Sequence, residues 1–120
     1  MLNLDTHILI WALTGDLRPR ERAALSAAPW GISAIVLWEL AMLARLGRIE
    51  FDLESSALSS LLSRIHVWPL DLAVCRKLKA LDFSSDPADE IIAATSLVHD
   101  VPLMTRDRKI RRSRLLRFAG

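Results

Sequence analysis

One cysteine in 120 residues leaves no partner for an internal disulfide. Cys75 stands among Leu72, Ala73 and Leu78 in a segment of helical spacing, which predicts a buried packing role and fits a reducing, cytoplasmic setting. A zinc site is also out of reach, because His7, His66 and His99 are scattered and form no ligand pattern with the single thiol. Long apolar runs are missing. The longest uncharged apolar-rich stretch, Ile91 to Val98, falls well short of the roughly 20 residues a membrane helix needs. Ile8 to Leu13 is too short for a secretory core and follows Asp5 rather than a basic residue, so neither membrane insertion nor export is expected. Repeats, low-complexity tracts and linkers rich in Pro, Gly or Ser are lacking too, which leaves one domain over residues 1–120.

What is present is the balance of a globular protein, 52% hydrophobic and 25% charged. The net charge of +2 is unevenly spread. Residues 1–105 carry nine basic and thirteen acidic side chains, a balance of −4. Residues 106–120 carry seven basic ones (Arg106, Arg108, Lys109, Arg111, Arg112, Arg114, Arg117) against Asp107 alone, a balance of +6. Such a cluster suits either a polyanionic partner, since phosphates are neutralised by Lys and Arg, or a solvated helix face.

Short apolar segments alternate with helical ones. Leu2–Leu4 reads as a strand, after which Asp5 and Thr6 open a helix through Leu13 that Gly15 ends. Pro19 starts a helix to about Ala28, and Gly31–Ser33 is a second strand feeding an apolar helix over Ala34–Leu46, stopped by Gly47. A helix over Leu53–Arg64, a strand over Val67–Pro69 and a helix over Leu70–Leu81 follow. The next helix runs from Asp86 to about Val98, where Asp86, Pro87 and Asp89 have the form of a variant capping box. Leu103–Thr105 is the fourth strand, Asp107 begins a short basic helix, and Leu115–Phe118 is a candidate edge strand. This alternation predicts an α/β sandwich around a parallel sheet.

Against that frame Asp5, Glu39, Asp89 and Asp107 are the informative residues. Asp5 and Asp107 fall at the carboxyl ends of predicted strands, the edge where open α/β sheets bind ligands. Glu39 sits mid-helix with Ile35, Val36, Met42 and Leu43 as its i±3 and i±4 neighbours, and no Lys or Arg is placed to pair with it. A carboxylate on a buried helix face needs a distant Arg, a retained proton, a strong hydrogen bond or a metal ion. Asp5, Asp107 and Asp86 also suit helix N-caps, with Asp89 completing the box of Asp86. Taken as a set, the acids begin elements beside a parallel strand edge. If they converge, they make a site for a hard divalent cation, Mg²⁺ or Mn²⁺.

At these residues the chain resembles the PIN-domain toxins of the VapC family. The resemblance rests on Leu4-Asp5-Thr6-His7, on Ser33 to Met42 followed by Gly47-Arg48, on Asp86 to Thr95, and on Leu103-Met104-Thr105-Arg106-Asp107. These stretches occur in the family's order and spacing and span essentially the whole chain. The resemblance implies a PIN-like α/β/α sandwich with a short-stranded, mostly parallel central sheet. The acids that hold metal in the family fall on Asp5, Glu39, Asp89 and Asp107, and supporting hydroxyls on Thr6 and Thr105. Asp86 takes the place of the first Asp in an Asp-Pro-x-Asp form, as a cap and an outer group of the site. Two positions depart from that branch: Ser84 stands where His is usual, and Glu90 where Arg is frequent.

The same resemblance implies a metal-dependent endoribonuclease, the toxin of a toxin–antitoxin pair, working with Mg²⁺ or Mn²⁺. It further implies a homodimer held in check by a cognate antitoxin. Arg106, Arg108, Lys109, Arg111 and Arg112 are then candidates for gripping the RNA backbone. Trp11, Trp30, Trp38 and Trp68 are divided between core and interface roles. Two rivals compete. Haloacid-dehalogenase-like phosphoryl transfer wants an Asp where His7 stands, and a phospho-receiver wants an adjacent acidic pair after the first strand and a late-strand Lys, neither of which stands there. The other rival is a catalytically weak PIN-like module that binds RNA or a partner, against which all four acids are present.

Overall fold

Four short strands make one wholly parallel sheet in the order β3-β2-β1-β4. They are β1 at Leu2–Leu4, β2 at Trp30–Ser33, β3 at His66–Trp68 and β4 at Leu103–Met104. The computed structural model describes residues 1–120. Interior β1 pairs Leu2 and Asn3 with Trp30 and Gly31 on one side, and Asn3 and Leu4 with Leu103 and Met104 on the other. The chain steps from β1 to β2 and β3, then crosses back to lay β4 on the opposite flank. That reversal opens a crevice at the carboxyl ends of β1 and β4.

Seven helices flank the sheet: α1 Thr6–Thr14, α2 Pro19–Ala27, α3 Ala34–Arg45, α4 Ser56–Leu62, α5 Leu72–Lys77, α6 Pro87–His99 and α7 Arg108–Arg111. Helix α6 packs against β1, β2, α3 and α5. The core joins Leu4 of β1, Ile8 and Leu9 of α1, Ile32 of β2, Val36 and Leu40 of α3, Ile92 of α6 and Leu103 of β4, all essentially without exposure. Asn3 is buried among them because its Nδ2 donates to the Ile92 carbonyl at 3.0 Å and to Ser96 Oγ at 2.9 Å. This ties β1 to α6. Close approach also requires glycine at Gly31, where an added Cβ would lie 2.5 Å from ring carbons of Trp68.

Several boundaries differ from the sequence reading, each for a local reason. The helix expected over Leu53–Arg64 contracts to α4, because the Ser55 hydroxyl accepts from the Leu58 N–H and Asp52 holds the preceding turn through the Glu54 N–H. The helix expected over Leu70–Leu81 begins after Asp71, which caps it through the Val74 N–H, and tightens into a 3-10 turn at Leu78–Ala80. Strand β3 stops at Trp68, since Pro69 has no N–H to donate to a ladder. The edge strand expected over Leu115–Phe118 is reduced to one bridge, Leu103 to Phe118, because two-residue β4 offers a single rung. Cys75 is exposed, not buried: α5 turns only Val74 fully inward. Of the tryptophans, Trp68 is buried and Trp11 and Trp30 pack on the core, whereas Trp38 is 54% exposed.

Candidate active site

The acids reach the crevice from four separate elements. Asp5 ends β1 and caps α1, its Oδ1 accepting from the Ile8 N–H at 2.9 Å. Asp107 follows β4 and caps α7, its Oδ1 accepting from the Lys109 and Ile110 N–H groups at 2.8 and 3.1 Å. Glu39 projects from the middle of α3, and Asp89 from the first turn of α6. All four, with Asp86, His7, Trp11 and Arg106, line one hollow of about 400 Å³. The cap reading and the site reading of Asp5 and Asp107 therefore hold together.

Glu39 finds its compensating hydrogen bond in Thr6, whose buried hydroxyl donates to Oε1. Thr105 accepts from the Asp107 N–H through its hydroxyl, and the same hydroxyl lies beside Asp5. The capping box expected of Asp86 and Asp89 does not form, for Asp86 makes no side-chain cap bond. Instead Ser85 bridges the turn: its N–H donates to Glu90 Oε2 at 3.0 Å, and its Oγ donates to Asp89 Oδ2 at 3.1 Å. Glu90 thus fastens the turn that leads into α6. Protein atoms engage one named oxygen of each acid and leave the second oxygen of Glu39, Asp89 and Asp107 without a protein partner.

The electrostatics match this geometry. Burial pushes the Asp5 carboxyl above its ordinary range, and the charge of Asp89 adds to this against the hydrogen bonds of Thr105 and Ile8. Burial also raises Asp89, with the charges of Glu39, Asp86 and Asp107 acting in the same sense against its bond from Ser85. None of the four acids is in an ion pair. As they stand, no three His, Cys, Asp or Glu side chains are gathered tightly enough to hold a metal ion, as like charges facing one another across a hollow keep apart. The donor set itself, hard carboxylate oxygens without a cationic partner, fits Mg²⁺ or Mn²⁺ and no softer ion.

Arg106 is the one arginine or lysine in the wall, and it is committed elsewhere. Its Nε and Nη2 bond Glu21 Oε2 and Oε1 at 2.8 and 2.7 Å, Nη2 also reaches the Asp16 carbonyl at 3.0 Å, and its Cζ lies 3.6 Å from the Trp11 ring centroid. Its guanidinium is thus held by protein partners on several sides. The two hydrogen bonds hold the buried Glu21 carboxyl below the usual range. Arg108, Lys109, Arg111 and Arg112 are exposed, though Arg111 also donates to the Thr105 carbonyl at 3.0 Å. Sequence reasoning missed Ser85, Glu21 and the rim residues His7 and Trp11. Only the contacts made by the fold reveal them.

Residues 3–114 match the PIN domain, and the chain belongs to that family. Within it the likeness runs to VapC proteins: the chain is 32% identical over 117 residues to Ribonuclease VapC22 of Mycobacterium tuberculosis, covering 92% of this chain and 90% of that protein. A toxin–antitoxin complex from Klebsiella pneumoniae superposes with a TM-score of 0.71 at 25% identity, over 93% of this chain and 91% of the other. VapBC2 from Rickettsia felis, bound to a DNA fragment from its promoter, gives 0.70 at 18% identity over 98% and 97%, a likeness of fold. No helix is long and apolar enough to cross a membrane.

Proposed function

We propose that the chain is a divalent-metal-dependent endoribonuclease, the toxin of a toxin–antitoxin pair. One observation carries the reading: four carboxylates from β1, α3, α6 and the end of β4 face one hollow without a cationic partner. Its kinship with a ribonuclease over nearly the whole chain supports RNA as the substrate. Asp5 and Asp89 would hold Mg²⁺ or Mn²⁺ directly, with Glu39 and Asp107 as further ligands, direct or through water. The ion supplies a bound water of lowered pKa and a positive charge against the phosphate.

The chain's own residues do the rest. Thr6 fixes the carboxylate of Glu39, Ser85 that of Asp89, and the N–H groups of α1 and α7 those of Asp5 and Asp107. Each acid is thereby oriented before substrate arrives. The exposed cations of α7, Arg108 and Lys109 with Arg111 and Arg112, offset the repulsion that the acids exert on a phosphate. The toxin–antitoxin neighbour supports a protein partner, and exposed Trp38, Leu46 and Leu72 offer apolar surface for an antitoxin or a second copy.

The test is cleavage of total RNA by the purified protein with Mg²⁺ or Mn²⁺, with and without EDTA, beside Asp5→Asn and Asp89→Asn. Cleavage that EDTA stops and both variants lack, with circular dichroism unchanged, is expected. Cleavage undiminished in both variants would sink the assignment, and RNA binding without cleavage would favour a binding module.

A further inference from the structure

Next to the acidic hollow lies a second one of about 570 Å³ with no hydrophobic lining. Arg18 and Arg20 enter it from the start of α2, and Arg108 and Arg111 from α7. Arg106 lines both hollows and so forms the wall between them. Its charge is matched by Glu21. Arg18, Arg20, Arg108 and Arg111 are in no ion pair. Four guanidinium groups outside any ion pair share this space with the Glu21 carboxylate that Arg106 binds, and a phosphate is the ligand whose oxygens suit their forked donors.

We infer that this hollow is a backbone subsite for the RNA strand flanking the scissile bond, an inference that rests on the nuclease reading above. A strand with one phosphodiester at the acids passes Arg106 and presents a neighbouring phosphate to Arg18 and Arg20. No aromatic ring lines the hollow, so the contact is to phosphate and not to base, and it is blind to sequence. The α2 arginines thus extend the basic surface of α7 from a distant part of the chain.

The experiment measures binding of a short labelled single-stranded RNA by anisotropy in EDTA, across a series of salt concentrations. Arg18→Ala with Arg20→Ala is compared with Arg22→Ala with Arg45→Ala, which removes equal charge from exposed positions outside both hollows. Alanine at position 18 keeps the backbone N–H that bonds Glu21 at 2.7 Å, and matched thermal melting verifies the fold. Two lost phosphate contacts should weaken binding and flatten the slope of log K against log salt by about 1.4. The control pair should keep the parent slope. Equal slopes in the two double variants, or the parent slope in the first, overturn the subsite. Failure of the parent protein to cleave RNA with metal overturns the nuclease reading instead, so the two failures are distinguishable.

Discussion

Removing Arg106 should cost more than its charge, because of what it leaves behind. Glu21 retains only 6% of its side-chain exposure beside Arg106, and Arg106→Ala strands that carboxylate. Breaking a buried pair in this way costs about 3 kcal/mol, the low end of its range, since Arg106 itself keeps 20% of its surface in water. Lost stacking on Trp11 adds about 0.5–1 kcal/mol. Glu21→Gln keeps the shape and a hydrogen-bond acceptor and should cost about 1–2 kcal/mol. The double variant leaves no stranded charge, so its cost should fall short of the sum by about 2 kcal/mol. Urea unfolding of the four proteins measures this directly. There is also a pH signature. Arg106 lowers the Glu21 carboxyl, so its stabilisation is present above the ordinary carboxyl range and is lost as pH falls through the lowered value. Glu21→Gln should abolish that component. Costs that add to within about 0.5 kcal/mol would refute the clamp.

Burial and mutual charge raise Asp5 and Asp89, so their contribution to stability is fully present below the ordinary carboxyl range and is lost as pH rises through the raised values. In EDTA, Asp89→Asn should therefore gain stability over the parent as pH rises, a difference read from urea midpoints; no divergence would contradict the electrostatic account. Mn²⁺ should raise the melting temperature of the parent and leave Asp89→Asn nearly unmoved in a thermal-shift titration. Thr6→Val, which removes the hydroxyl held by Glu39, should lower RNA cleavage with the fold intact, and Thr6→Ser should restore it. Gly31→Ala drives a methyl against Trp68 and should cost about 1–3 kcal/mol in urea unfolding, less in a Trp68→Phe background.

The elements with strong local punctuation were legible. Asp5 and Gly15 announce where α1 begins and ends, and its caps form there; Pro87 announces the start of α6, although Asp86 before it makes no side-chain cap bond. The set of acids was legible because Glu39 contradicts its own helix: an anion amid apolar neighbours needs an answer from elsewhere. That answer, Thr6, was indicated only through the family resemblance, since nothing local announces a contact across thirty-three positions. The Arg106–Glu21 clamp spans eighty-five positions and was invisible for the same reason. Cys75 misled because its apolar neighbours describe a stripe that α5 is too short to bury.

Asp5 and Asp107 start the helices α1 and α7 with the same side chains that face the hollow. Assembly of the site is therefore inseparable from the first turn of each helix: no later loop closure has to bring these two anions into place. Truncation to alanine would unfasten a helix start while removing a carboxylate from the hollow, and its effect would mix two losses. Asparagine keeps the oxygen that receives the backbone N–H and deletes only the charge, so it separates what the fold asks of these positions from what the chemistry asks.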